Sequence, residues 1–332
     1  FLHRIKEGFL YVKNPMNPHQ ISRIDLSPDV VDCIVFWTKN PAPMLKRLDE
    51  LRAYPYYFQF TLTGYGKDLE PGLPDKRTVL IPTFRELSEI IGAQRVIWRY
   101  DPILFHDRYT SVYHLKAFEE IAHSLCGYTK RVVISFIDLY AKTMRNMKTG
   151  AIQIMTQDEI RHLAGELAVI AKKYGLVIET CAEQIDLTQE GIRHGSCIDK
   201  ELIEEITGCR IAAGKDRNQR KACGCIESVE VGAYHTCLNG CRYCYANESE
   251  AKVAGTVQSY DVKAPLLCGA AALEDKITER KMKSLKNTQL TIDFPLKIMQ
   301  ANAAWSFIFS LLLRNSFDFS TDHFPFCRVS YR

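Results

Sequence analysis

The alternation of apolar and polar positions divides most of this chain into short strands and amphipathic helices. Near-continuous runs rich in β-branched and aromatic residues recur at 33–37, 57–63, 96–100, 131–138, 176–180 and 228–233. Runs that are apolar on both alternations suit strands covered on both faces, as in a parallel sheet. Between them, Met44, Leu45, Leu48 and Leu51 form one helical stripe within 41–54, and Phe84, Leu87, Ile90 and Ile91 form a second, stopped at Gly92. Leu115, Phe118, Ile121, Ala122 and Leu125 mark a third helix. Thr156 and Glu159 make a capping-box pair ahead of Ile160, Leu163, Leu167, Ile170 and Tyr174, with Gly175 as the stop.

Six strand–helix units in series predict an α/β fold, a partial or permuted TIM-like β/α barrel, with a doubly wound sheet as the competing architecture. Polar residues at the strand ends favour the barrel. Thr61, Arg99, Asp101, Ser135 and Glu179, with Lys39 and Glu183 nearby, all follow apolar runs, where barrels gather their chemistry. The plainer alternative is that strand ends lie near solvent in any case. Thr61, Arg99, Asp101, Ser135 and Glu179 are the candidates for holding cofactor or substrate.

From about residue 287 the character changes. Seven of the sixteen phenylalanines fall in 294–326, and no capping or strand signal organises the segment. Its longest apolar stretch, 303–313, is shorter than the roughly 20 residues that a membrane span requires. The expected organisation is a barrel over 1–210, a cysteine-rich segment over 211–250, an extension over 251–286 and an atypical tail over 287–332.

Composition narrows the function classes. The 332 residues carry a formal charge of +4, too mild to indicate nucleic acid by itself. Phe1 opens the chain without a basic or apolar leader, which points to a fragment or processed product and to no secretory signal. Twelve cysteines in such a chain favour reduced thiols, metal binding and a cytoplasmic setting over disulfides.

The cysteines fall into groups. Cys237, Cys241 and Cys244 stand as C-L-N-G-C-R-Y-C, three thiols that leave one metal position open. A zinc ribbon would use paired Cys-x2-Cys knuckles, so the spacing favours an iron–sulfur cluster over zinc. Cys223 and Cys225, as C-G-C, with Cys197 and Cys181 upstream, form a candidate second metal site for a cluster or zinc. The alternative is that these are ordinary buried thiols. Cys33 and Cys126 read as core. The basic run 215–221 precedes the C-G-C pair and leaves nucleic acid open as a partner, although no aromatics interleave it. No glycine loop for nucleotide phosphates and no H-E-x-x-H spacing is present.

Several strings together carry a resemblance: N-P-M-N-P-H-Q at 14–20, F-W-T-K-N-P at 36–41, W-R-Y-D-P at 98–102, E-T-C-A-E at 179–183, H-G-S-C-I-D at 194–199, N-Q-R-K-A-C-G-C at 218–225 and Y-H-T-C-L-N-G-C-R-Y-C-Y-A at 234–246. With these the chain resembles, over about residues 1–286, an uncharacterised bacterial family known as a domain of unknown function. Its hallmark is a radical-SAM-like cysteine cluster near the C-terminus. The resemblance implies a 4Fe–4S cluster on Cys237, Cys241 and Cys244, with S-adenosylmethionine (SAM) on the open iron. It also implies an electron donor such as a ferredoxin or flavodoxin, and a deoxyadenosyl radical acting on an unidentified substrate. The family pattern begins earlier, with a Ser-Arg-Arg-Thr-Asp-like strand missing here, so the chain is expected to be N-terminally incomplete. In radical SAM barrels the corresponding strand contacts the SAM amine. The cysteine loop is also similar to that of spore-photoproduct-lyase-like enzymes, which makes nucleic-acid lesion repair an alternative. A non-catalytic iron–sulfur or zinc protein binding nucleic acid or a partner is the other alternative.

Overall fold

The computed structural model describes residues 1–137, 147 and 152–287. Asp138 and residues 288–332, and with them most of the atypical tail, lie outside the described residues. The described residues fall within one compact unit, Phe1–Thr288.

A short helix α1 (Leu2–Glu7) leads into an antiparallel pair, β1 (Phe9–Asn14) and β2 (Asn17–Asp25). The sequence pattern did not anticipate this pair. Its polar, exposed turn end, Asn14 to Gln20, shows no apolar run, and only Leu10, Ile21 and Ile24 are fully buried.

The main sheet follows: β3 (Ile34–Thr38), β4 (Tyr56–Thr61), β5 (Val96–Ile103), β6 (Arg131–Phe136), β7 (Val177–Cys181) and β8 (Arg193–Gly195). All neighbours are parallel, and the strands lie side by side in chain order. The order shows no reversal, the feature that creates the switch point of a doubly wound sheet. Between the strands run α2 (Ala42–Leu45), α3 (Ile81–Ile91), α4 (Ser111–Ser124) and α5 (Gln157–Lys173); α6 (Lys200–Thr207) comes after β8. Among the described residues β3 and β8 each have one neighbouring strand.

Alternation along each strand feeds two separate cores. Phe58, Phe60, Trp98, Ile134 and Ile178 pack with Phe84, Leu87, Phe118, Leu163 and Leu167 on the helix side. Tyr57, Ile97 and Val133 face the other way and pack with Leu202 and Ile203 of α6 and with Ile211 and Ile226. Each fully buried large apolar side chain contributes about 1.5–3 kcal/mol relative to exposure, so both faces hold the sheet. Helix α5 starts as expected, with Thr156 and Glu159 exchanging their capping bonds.

Two expectations need correction. The stripe at 41–54 is not one helix: α2 is followed by a separate 3-10 turn, Leu48–Leu51. Leu45, Leu48 and Leu51 are buried all the same, because a spacing of three suits the tighter 3-10 winding. The segment 228–233 is not a strand. Val229 and Val231 rest against the helix-side core without ladder bonds, so their alternation records packing and not pairing. Beyond it, α7 (Glu250–Gln258) leads to β10 (Lys276–Glu279), which runs parallel to β2, while β11 (Lys286–Asn287) pairs with β9 (Arg210–Ile211).

Candidate metal centre

The C-terminal ends of β3 and β4 deliver Lys39 and Thr63 to a buried carboxylate, Glu70. Glu70 lies in the loop leading to α3 and is 1% exposed. It accepts from Lys39 Nζ at 2.9 Å and Thr63 Oγ1 at 3.0 Å, and also pairs with Lys76 and the hydroxyl of Tyr243. Burial by itself raises the Glu70 pKa, but Lys39 and Lys76 outweigh it and hold the carboxyl at about 2. Lys39 Nζ also donates to the Tyr243 hydroxyl at 2.9 Å.

Tyr243 is the aromatic residue just before Cys244, so this network fastens the three-cysteine loop over the strand ends. The main chain ties it further. Gly72 N–H donates to Asn239 O at 3.0 Å, and Arg242 N–H to Leu69 O at 2.9 Å. At Gly72 a Cβ would stand 2.6 Å from Leu238 O, so only glycine allows this approach. Within the loop, Asn247 Nδ2 donates to Cys237 O at 2.7 Å, and Cys244 N–H to Cys241 O at 3.1 Å. Cys237 is exposed, whereas Cys241 and Cys244 are half-buried. Burial raises the Cys241 thiol to about 11; Lys39 opposes this, while Glu70, Cys237 and Cys244 add to it. The three thiols thus lie within electrostatic reach of one another on a single tethered loop with one side open to solvent. That donor set suits a three-thiolate metal group, although as placed no three His, Cys, Asp or Glu side chains among the described residues surround a common point.

The other candidates lie on the sheet face opposite α3, α4 and α5. Arg99 is buried and committed: Nε donates to Asp101 Oδ1 at 3.0 Å, Nη1 to Gln59 Oε1 at 3.3 Å and to Cys197 Sγ at 2.8 Å. Ser135 Oγ reaches Asp101 Oδ2 at 3.5 Å. Thr61 stands opposite Arg99 in the β4–β5 register and is half-buried. Glu179 is held away from this group by Arg193 at 2.7 Å and Arg131 at 3.6 Å. Burial raises its pKa against the pull of Arg131 and Arg193. Glu183 accepts from Phe136 N–H at 2.7 Å. Tyr245, next to Cys244, is within electrostatic reach of Arg99. The structure therefore brings Arg99, Asp101 and Ser135 together beside Cys197 and sets Glu179 in a separate ion-pair group.

Cys197, Cys223 and Cys225 are buried in a cluster of their own, with Cys181 against it. In the basic run, Lys215 donates to Lys221 O at 2.6 Å, and Asp216 is buried within the run, so part of it is internally bonded. A groove of about 940 Å³ runs between α3 and α4 and touches Thr63, Glu70 and Lys76, but none of Thr61, Arg99, Asp101, Ser135 or Glu179 lines it. Sequence reasoning missed Glu70 and Lys76. They lie in a Gly- and Pro-rich loop, and no local pattern announces that a loop carboxylate will be buried. The aromatic before Cys244 was the one legible signal.

A mixed α/β chain with a six-stranded parallel sheet in sequential order, carrying a cysteine loop docked at the strand ends, is the class this structure defines. The chain belongs to the family described as a domain of unknown function (DUF1848), which matches over residues 1–246. No curated protein matches the chain. Among solved structures it is similar to the crystal structure of the IOLI protein with a binding zinc atom, at 12% identity and a TM-score of 0.26, covering 52% of this chain. The chain spans 59% of that structure's length, and a likeness of this degree carries no argument about the site.

Proposed function

We propose that this chain is a radical-SAM-type iron–sulfur enzyme whose sheet forms part of a permuted β/α barrel. One observation carries the reading: Tyr243 and Glu70 dock the Cys237, Cys241 and Cys244 loop over the C-terminal ends of β3 and β4. Parallel β/α folds place their chemistry at that end of the strands. Cys237, Cys241 and Cys244 would hold a 4Fe–4S cluster, with SAM at the iron that three thiolates leave open. That pair, when bound, would supply reductive SAM cleavage and a radical able to take a hydrogen atom from substrate.

The chain's own groups do the positioning. Glu70, with Lys39 and Lys76, fixes the loop's height above the strands. Buried Tyr65, Tyr109 and Tyr243 keep water from its inner side. Arg99 and Asp101 hold each other rigid, so that Asp101, Ser135 and Thr61 offer polar groups beside the loop without reorganisation. An electron donor such as a ferredoxin or flavodoxin would approach the exposed Cys237 side. No helix among the described residues is long and apolar enough to cross a membrane, and exposed thiols of this kind suit the reducing cytoplasm.

The test is anaerobic reconstitution with iron and sulfide, followed by assay for deoxyadenosine from SAM under reducing conditions. Deoxyadenosine lost in Cys241→Ser supports the reading; an intact cluster that yields none sinks it. The second reading, a metal protein without radical chemistry, is favoured by the additional thiol cluster of buried Cys197, Cys223 and Cys225 with half-buried Cys181. It predicts metal without SAM cleavage, and a salt-dependent nucleic-acid affinity lost in Arg217→Ala with Lys221→Ala if the partner is nucleic acid.

A further inference from the structure

The second cysteine group has the marks of a metal site in its own right. Cys181 ends β7, Cys197 follows β8, and Cys223 and Cys225 come from the segment that returns across the same sheet face. The Cys181 and Cys197 sulfurs are 2.9 Å apart. Cys197 also interacts through its side chain with Cys225, and Cys225 with Cys223. Three separate stretches of sequence thus bring the four thiols into one cluster, although as placed they do not surround a common point.

Their surroundings suit thiolates. Arg99 Nη1 donates to Cys197 Sγ at 2.8 Å, and Ile198 N–H donates to Cys225 Sγ at 3.3 Å. The Cys197 carbonyl is fixed by the Tyr57 hydroxyl at 2.6 Å and Gln59 Nε2 at 3.0 Å. Gly224 lets the C-G-C pair lie close to β8: a Cβ there would stand 3.1 Å from both Gly195 O and Ser196 Oγ.

We propose that Cys181, Cys197, Cys223 and Cys225 bind one zinc ion as a four-thiolate structural site, separate from the three-cysteine loop. Four thiolates complete a tetrahedron and leave no open position. With Zn–S near 2.3 Å, two such sulfurs sit about 3.8 Å apart. The Cys181–Cys197 pair is closer than that, so loading moves these two sulfurs apart as the four thiols turn towards one point. A single ion matches this compact group better than a four-iron cube, which holds its cysteine sulfurs much farther apart. Binding exchanges four thiol protons for Zn²⁺, with no change of oxidation state, and Arg99 offsets part of the resulting negative charge. The site pins β7 and β8 to the segment that leads on to Cys237, so it steadies the base of the reactive loop without joining its chemistry.

The test uses the full chain carrying Cys237→Ser, Cys241→Ser and Cys244→Ser, which leaves only the second group. Elemental analysis is expected to find one zinc per chain. Cobalt(II), used as a probe, is expected to give thiolate charge-transfer and tetrahedral ligand-field bands. Adding Cys223→Ser and Cys225→Ser abolishes both signals, whereas adding Cys126→Ser leaves them intact. Arg99→Met, which keeps all four thiols, weakens zinc binding roughly 10–100-fold. A folded triple variant that takes up neither metal and whose four thiols all react freely with a thiol reagent overturns the proposal. So does a Cys181–Cys197 disulfide found by mass spectrometry, or iron found in place of zinc.

Discussion

The two cysteine groups use the same side chain in opposite settings. The Cys237–Cys241–Cys244 loop is short and local, with one thiol exposed, and it is fastened by charged groups beneath it. The Cys181–Cys197–Cys223–Cys225 group is assembled from distant stretches and buried against the sheet, with a guanidinium and a backbone amide aimed at its sulfurs. A loop held from below keeps its outer side free for ligands and electrons, while a mostly buried group is better suited to tying segments together. Position and enclosure, more than cysteine count, separate a reactive centre from a structural one.

The largest effect that would break this contrast comes from Glu70. Glu70→Ala leaves the half-buried Lys39 and Lys76 without their shared counter-charge, at an expected cost of about 3 kcal/mol in denaturant unfolding. It should free the Cys241 and Cys244 thiols for alkylation while Cys197, Cys223 and Cys225 stay protected. Equal exposure of both groups would show that they form one cooperative unit. The same carboxylate sets a pH signature. Its folded pKa of about 2 lies below the ordinary value of 4.5, so its stabilisation is complete above pH 4.5 and is lost as pH falls towards 2. Acid unfolding of Glu70→Ala should be correspondingly flatter over that window.

Tyr243→Phe removes one hydroxyl bonded to charged partners and should cost about 2 kcal/mol, again with labelling confined to the loop. Gly72→Ala forces a Cβ against Leu238 O and should cost about 1 kcal/mol or somewhat more, read as faster modification of Cys241. Arg242→Ala is the smallest change. Its partner Glu250 is 3.1 Å away and both side chains are exposed, so the loss should stay below about 1 kcal/mol. A larger loss would mean that the loop is held from its outer side as well.

Much of the sheet was legible because its strands are buried on both faces. The runs at 57–63, 96–100 and 176–180 fall on β4, β5 and β7 within a residue or two at most boundaries. The capping box at Thr156 was legible because it is local chemistry. The 228–233 run misled because apolar alternation reports burial, and a segment can be buried without a ladder partner. Arg99 is legible as a polar residue near a strand end. That its guanidinium is shared by Asp101 of the same strand, Gln59 of β4 and Cys197 beyond β8 is not, because two of those three partners come from distant sequence. Glu70 was invisible because a loop carboxylate becomes a buried anchor only when Lys76 of its own loop is joined by Lys39 and Tyr243 from elsewhere.

By itself the sequence determined five of the six parallel strands, the helix caps and the three-thiol spacing, since each depends on residues a few positions apart. The sixth strand, β8, is three residues long and left no such pattern. Tertiary structure alone decided what lies under that loop and which groups are aimed at the second set of cysteines. Tyr243 and Glu70 are 173 residues apart, and Arg99 and Cys197 are 98 apart. Contacts across such separations depend on how the sheet orders its strands, and no short-range pattern of polarity encodes that.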